Sequence, residues 1–254
     1  MLYGVNKDLG IIYHSEILYE KYYQNKLSPR FWRNKKFNTG VREKLVDIAE
    51  NFYKTLKLQV PIIDIQLTGS LANYNYTDLS DLDVHIIIDF SQINQDIELV
   101  KKALDGVRFI WNARHDIVIN DHDVELYVQD VNEQHMASGL YSLLYNKWVK
   151  EPVYDPPEID ERDVEVKFQH YVKEIAKLQE CLEREDITRE DLVTIANRAN
   201  KLKEKIQEGR KECLQQKQDE FCVENLVFKR LRNSGAIEQL INIASKAYDL
   251  SFSI

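Results

Sequence analysis

The 254-residue chain is 44% hydrophobic, enough to bury a sizeable core in one large domain or two of ordinary size. Its formal charge of -8 and pI near 5.4 exclude a general nucleic-acid-coating protein, which is usually basic, although an acidic whole leaves room for a local basic groove. No apolar run approaches the roughly 20 residues that span a bilayer, and Met1 to Lys7 lack the basic-then-apolar layout of a secretion signal, so a soluble protein is expected.

Residues 1–38 are rich in Tyr, Asn and Lys with weak periodicity, and Leu27-Ser28-Pro29-Arg30-Phe31-Trp32 reads as a turn followed by an aromatic anchor, an arm packed across a domain face. Val41, Leu45, Ile48, Ala49 and Phe52 recur at helical spacing after a cap at Asn38-Thr39. An apolar run from Val60 to Leu67 then predicts a strand ending in the small pair Gly69-Ser70. A polar stretch leads to Asp81-Leu82-Asp83 and a second strand, Val84 to Ile88. Residues two apart on an extended chain share a face, so Asp81 and Asp83 point one way while Leu82, Val84 and Ile86 point the other. Ile93 to Val107 predicts a helix, and His115 to Asn120 and Val124 to Val128 predict a strand pair joined through Asp121-His122-Asp123. Within the second of these strands, alternation turns Glu125 away from Val124 and Leu126.

Two carboxylates held as close as Asp81 and Asp83 repel each other unless a cation sits between them. Gly-Ser at a strand end suits the other half of such a site, because glycine lets a phosphate approach the backbone and the hydroxyl and amides bond it. Phosphate with a hard metal points to a nucleotide. The pattern resembles the nucleotidyltransferase superfamily that includes DNA polymerase beta, poly(A) polymerases and CCA-adding enzymes: Gly69-Ser70, ten intervening residues, then Asp81-x-Asp83, with Glu125 as the third carboxylate from a later strand. More narrowly, Leu27-Ser28-Pro29, Val41-Arg42, Leu71-Ala72-Asn73-Tyr74 and Glu125-Leu126-Tyr127-Val128-Gln129 are similar to nucleotidyltransferases carried by tailed phages. The resemblance covers the N-terminal half.

It implies an α/β nucleotidyltransferase core, a mixed sheet with flanking helices, followed by an all-α C-terminal helical domain. It also implies two Mg²⁺ (or Mn²⁺) ions on Asp81, Asp83 and Glu125, and an NTP as substrate. Transfer of a nucleoside monophosphate to a hydroxyl of RNA, protein or a small molecule would release pyrophosphate. The alternative from another class is a catalytically silent nucleotide-binding or helical interaction module; a toxin-type nucleotidyltransferase is an alternative within the enzyme class. Better-known members carry an arginine shortly after Gly-Ser, whereas here Leu71-Ala72-Asn73 follows, which leaves the phosphate charge to Lys147, Arg114 or a lysine of the helical half. Gly139-Leu140-Tyr141-Ser142 with Lys147-Trp148 reads either as a pocket wall, Tyr141 stacking, Ser142 donating and Lys147 neutralising phosphate, or as an ordinary helix with a Trp anchor. His85 shares the carboxylate face but suits a hydrogen-bonded core role, and Tyr74 and Tyr76 suit either base stacking or loop packing.

Pro152, Pro156 and Pro157 among acidic residues mark a boundary, giving a catalytic domain with its arm at 1–150 and a helical domain at 151–254. Beyond it, Val164, Phe168, Tyr171, Ile175, Leu178 and Leu182 form one helical seam and Leu192, Ile195, Ala199, Leu202 and Ile206 a second, started by Thr188 with Asp191 and expected to close on the first as a hairpin. Residues 224–232 and 236–249 predict shorter helices split at Asn233-Ser234-Gly235. Arg198, Lys201, Lys205, Lys229, Arg230 and Arg232 supply grouped positive charge for an acceptor, or an ordinary solvated face. Cys181, Cys213 and Cys222 show no close pairing of a zinc or redox motif, so free thiols in a reducing cytoplasm are expected, the host's for a phage-encoded protein.

Overall fold

The computed structural model describes residues 23–133, 137–155, 158–217 and 221–253. They fall into two compact units, one within 21–156 and the other holding 157–254. The residues ahead of Tyr23, including most of the expected arm, lie outside the described residues.

The first unit is a mixed sheet with flanking helices. A hairpin of β1 (Trp32–Arg33) and β2 (Lys36–Phe37) precedes α1 (Thr39–Leu56), whose N-terminus is capped by Asn38 accepting from the Val41 amide at 3.1 Å. Then come β3 (Asp64–Thr68), a 3₁₀ turn at Ser70–Ala72, β4 (Leu82–Ile88), α2 (Ile97–Asn112), β5 (Val118–Ile119), β6 (His122–Asp130), β7 (Leu140–Ser142) and β8 (Lys147–Lys150). The six sheet strands run in the order β5-β6-β4-β3-β7-β8; β4 and β6 are parallel and every other pairing is antiparallel. Ile65, Leu67, Leu82, Val84, Ile86 and Leu126 are wholly buried, so the alternation read in β4 and β6 does divide the sheet into an apolar face and a polar one.

Four elements differ from expectation, the first being β3, which starts at Asp64 rather than Val60. α2 starts at Ile97 rather than Ile93, because Asp96 takes the Leu99 amide and the chain before it is held in a 3₁₀ turn at Phe90–Gln92 capped by Asp89. β5 keeps two residues of the longer strand predicted over 115–120. Residues 140–150 form the β7–β8 hairpin rather than a helix, turning at Asn146 with φ of 55°.

The second unit is helical: α3 (Glu161–Leu182), α4 (Arg189–Lys217), α5 (Val223–Asn233) and α6 (Ala236–Phe252). Thr188 and Asp191 close a reciprocal box, Asp191 Oδ2 accepting from the Thr188 amide at 3.0 Å and Thr188 Oγ1 from the Asp191 amide at 3.2 Å. Gly235, at φ of 76°, divides α5 from α6. The expected two-seam hairpin is the smaller part of the packing: α4 lies chiefly against α6, and α3 chiefly against α5. Buried Ala196 and Ala199 on α4 and Ala244 and Ala247 on α6 leave little side chain to hold those helices apart. Cys213 and Cys222 are joined by a disulfide and Cys181 is free, which corrects the expectation of three thiols. The pair links α4 to the N-cap of α5 across nine residues of sequence. Among the described residues no helix is long and apolar enough to cross a membrane.

Candidate active site on the polar face of the sheet

The register of three strands gathers the site. Thr68 of β3 pairs with Asp83 of β4, and Asp83 with Glu125 of β6, so the three form a row across the polar face, with strand axes ~4.8 Å apart. The next row holds Ser142, Gln66, His85 and Tyr127. Asp81 immediately precedes β4 and is half-buried, as are Asp83 and Glu125.

Gly69 follows β3 with φ of 72° and ψ of -162°, a region open essentially to glycine alone. A Cβ there would lie 2.0 Å from Asp83 Oδ2, so the Asp83 carboxylate occupies the space that any side chain at position 69 would fill. Ser70 Oγ donates to Ser80 Oγ at 2.7 Å, and Ser80 Oγ also accepts from the Thr77 amide at 2.9 Å. The Ser80 carbonyl meets buried His122 Nδ1 at 2.6 Å. The residue before Asp81 is therefore pinned to the Gly-Ser turn and to the start of the Glu125 strand. Packing of the spacer settles the role of Tyr74: it is buried against Tyr23 and Tyr154, at 5.9 and 5.4 Å between ring centroids.

Tyr127 donates its hydroxyl to Glu125 Oε2. Burial, followed by the Asp83 and Glu125 charges, pushes its phenol far above the ordinary tyrosine value, so it stays a donor. Its ring is sandwiched between His85, stacked at 4.6 Å, and the Arg108 guanidinium, 4.5 Å from the centroid. His85 Nδ1 meets Gln129 Oε1 at 2.6 Å, in keeping with the hydrogen-bonded role expected of it. Sequence reasoning missed Arg108. Arg114, the residue it named on this side, is exposed beyond the end of α2.

The remaining sequence-derived residues are not gathered with the carboxylates. Ser142 is wholly buried, donates to Asp64 Oδ1 at 2.7 Å and accepts from the Tyr145 amide at 3.0 Å. Tyr141 lies on the apolar side, edge-on to Trp32 and Trp148 at 5.0 Å each, with its hydroxyl on Asn146 Oδ1 at 2.8 Å. Lys147 is exposed on the outer strand β8, on the far side of β3 from β4 and β6. These three residues build the β7–β8 hairpin, which replaces the helix expected over 139–148.

In the helical unit, Arg230 is not a free cation: it is buried, bonded to Glu165 at 2.7 Å and set 4.3 Å over the Phe168 ring. Among the described residues, the group of three potential metal-ligand side chains drawn within 4.8 Å of one another is Cys213, Cys222 and Glu224. Its two sulfurs are bonded to each other, which removes the thiolates a soft metal would take. No protein-family model, curated protein or solved structure matches the chain.

Proposed function

We propose that the protein is a metal-dependent nucleotidyltransferase of the DNA polymerase beta-like type, moving a nucleoside monophosphate from an NTP to an acceptor hydroxyl with release of pyrophosphate. The observation that carries the reading is the Gly69 cradle. A backbone held in a glycine-only conformation, with a carboxylate seated where a Cβ would be, is hard to account for by packing. It is expected where a strand end must let a triphosphate and a metal-bound carboxylate share one small space.

The donor set fits the group. Asp81, Asp83 and Glu125 offer hard carboxylate oxygens of the kind Mg²⁺ and Mn²⁺ take, and none of the three is sealed in the core. When bound, the ions would supply charge neutralisation at the triphosphate and a lowered pKa for the acceptor hydroxyl. Asp81 and Asp83 would hold the triphosphate-side ion, and Asp83 with Glu125 the acceptor-side one. The acceptor oxygen attacks the α-phosphorus, its proton leaves to the Glu125 side, and the bond to the pyrophosphate oxygen breaks. Gly69 and Ser70 supply the close backbone approach, while Tyr127 keeps Glu125 in one orientation. Tyr141, Ser142 and Lys147 take no part. A cytoplasmic setting, where NTPs and Mg²⁺ abound, belongs to this proposal, with the Cys213–Cys222 bond an exception to the reduced thiols usual there.

Labelled NTPs incubated with the protein, Mg²⁺ and total cellular RNA and protein test it. Label transfer with stoichiometric pyrophosphate, absent in Asp83→Asn, is the expected result. Tight Mg²⁺-NTP binding by calorimetry without transfer to any acceptor would leave a nucleotide sensor in its place.

A further inference from the structure

The chain is acidic overall, yet residues 23–42 contain six lysines and arginines and no aspartate or glutamate. Arg30, Lys35 and Arg42 meet acids outside the stretch, at Asp78 and Asp121, Glu151 and Glu43, which leaves the outward charge to Lys26, Arg33 and Lys36. The structure folds the centre of this stretch into the β1–β2 hairpin. Trp32 pairs with Phe37 and both are buried, Trp32 stacking on Trp148 at 4.5 Å and donating its indole N–H to the Leu71 carbonyl at 2.8 Å. Arg33 pairs with Lys36 on the opposite side, and both are exposed. Asn34 and Lys35 make the turn at φ of 49° and 60°, the primed hairpin geometry that fixes which residues face out. An open groove of about 680 Å³ runs along the hairpin, floored by the edges of the buried Phe31, Trp32 and Phe37 and rimmed by Arg30, Arg33, Lys36, Asn38 and Thr39.

The hairpin is moored to the rim of the site. Arg30 bonds the Asn120 carbonyl at 3.1 Å and Asp121 at 3.2 Å, just before the Glu125 strand, and reaches Asp78 at 3.6 Å, three residues before Asp81. The Gln24 amide donates to the Tyr74 carbonyl at 2.6 Å, and Leu71, which takes the Trp32 indole, follows Ser70 directly. The groove and its cations thus start where the carboxylate loops end.

The geometry points to this basic hairpin as the surface that holds a single-stranded nucleic acid by its phosphate backbone, making a polynucleotide the acceptor class. The identification of an acceptor rests on the proposed transfer activity; the binding itself does not. With the aromatics turned inward, the surface has no apolar foot to enter a bilayer and no free ring to read a base, so recognition runs through charge and tolerates any sequence. It also moves the acceptor surface away from the helical unit, where Arg230 is spent on Glu165 and Phe168.

Anisotropy of a labelled mixed-sequence RNA of about 20 nucleotides, titrated in EDTA without NTP across a salt series, tests this. Arg33→Glu with Lys36→Glu should weaken binding about tenfold or more and lower the log–log salt slope by about 1.4, two phosphate contacts at ~0.7 each. Both side chains are exposed, so the melting temperature should hold; Arg33→Gln with Lys36→Gln, which removes charge without adding any, should fall between. Lys201→Glu with Lys205→Glu on α4 should leave the slope unchanged. Affinity and slope unmoved by the hairpin pair, a larger loss from the α4 pair, or equal competition by polyglutamate or anionic vesicles would overturn the inference. RNA binding that follows the hairpin in a protein that transfers no nucleotide would sink the proposed activity alone.

Discussion

Gly69→Ala separates a built site from an accidental turn. Two effects add. An alanine at φ of 72° and ψ of -162° sits in a region costing about 1–3 kcal/mol for any residue with a Cβ. The new Cβ would also lie 2.0 Å from Asp83 Oδ2, far inside contact, so the carboxylate must shift by about 1 Å or more before the chain closes. At roughly 2–4 °C of melting temperature per kcal/mol, strain alone lowers the midpoint by about 2–12 °C. Displacement of a ligand by ~1 Å is worth about a hundredfold in rate, so the functional loss should exceed the thermal one. Thermal melts in EDTA read the strain, and Mn²⁺ titration followed by electron paramagnetic resonance reads the ligand. Gly106→Ala, in α2 with nothing within 4 Å of its new Cβ, is the control and should stabilise by up to about 1 kcal/mol. A Gly69→Ala protein whose melting temperature and Mn²⁺ affinity both match the wild type would refute the cradle.

Asp83→Asn removes one charge from the half-buried row it forms with Glu125, so in EDTA its melting temperature should equal or exceed the wild-type value, while the shift produced by Mg²⁺ disappears; differential scanning fluorimetry with and without Mg²⁺ checks both. Thiol titration of the denatured chain should find one free thiol, Cys181, before reduction and three after it, and three reactive thiols in the untreated protein would exclude the Cys213–Cys222 bond. Tyr127 has its folded pKa raised, so its contribution is fully present below the unfolded tyrosine value near 10 and is lost as pH climbs above it. Urea melts between pH 9.5 and 11.5 should therefore show the wild type losing up to about 1.4 kcal/mol more per pH unit than Tyr127→Phe, and parallel curves would mean the phenol is not buried beside the Asp83 and Glu125 carboxylates.

The carboxylate row was legible because it depends only on period-two alternation in β4 and β6, and each strand has an apolar face that fixes its register. What alternation could not supply was the neighbour. The apolar residues of 139–148, at 140, 141, 143, 144, 145 and 148, follow neither the strand nor the helix period cleanly, and Asn146 at positive φ is a turn signal that Leu143-Leu144 on one side and Trp148 on the other obscure. In the helical unit the seams named the buried faces of α3 and α4 correctly at Val164, Phe168, Ile175, Leu192 and Ile195, but a seam specifies a face and not a partner, so the preference of α4 for α6 was hidden. Arg108 was unreadable for a related reason: nothing in its own helix marks the residue that will overhang a ring from another strand.

The basic hairpin was hidden by averaging. A formal charge of -8 describes the whole chain, and a 20-residue stretch without a single carboxylate disappears in it, although the gap can be read directly from residues 23–42. Composition bears on the partner only once the fold shows which charges share a surface. Here Arg33 and Lys36 face solvent together, while Arg30 spends its charge on the two loops that lead to Asp81 and Glu125. One cation of the stretch thus joins the buried Trp32 and Phe37 in placing the others. Loss of Arg30 should loosen the hairpin from the site without changing the outward charge beside it, a separation of placement from attraction that no count of lysines and arginines contains.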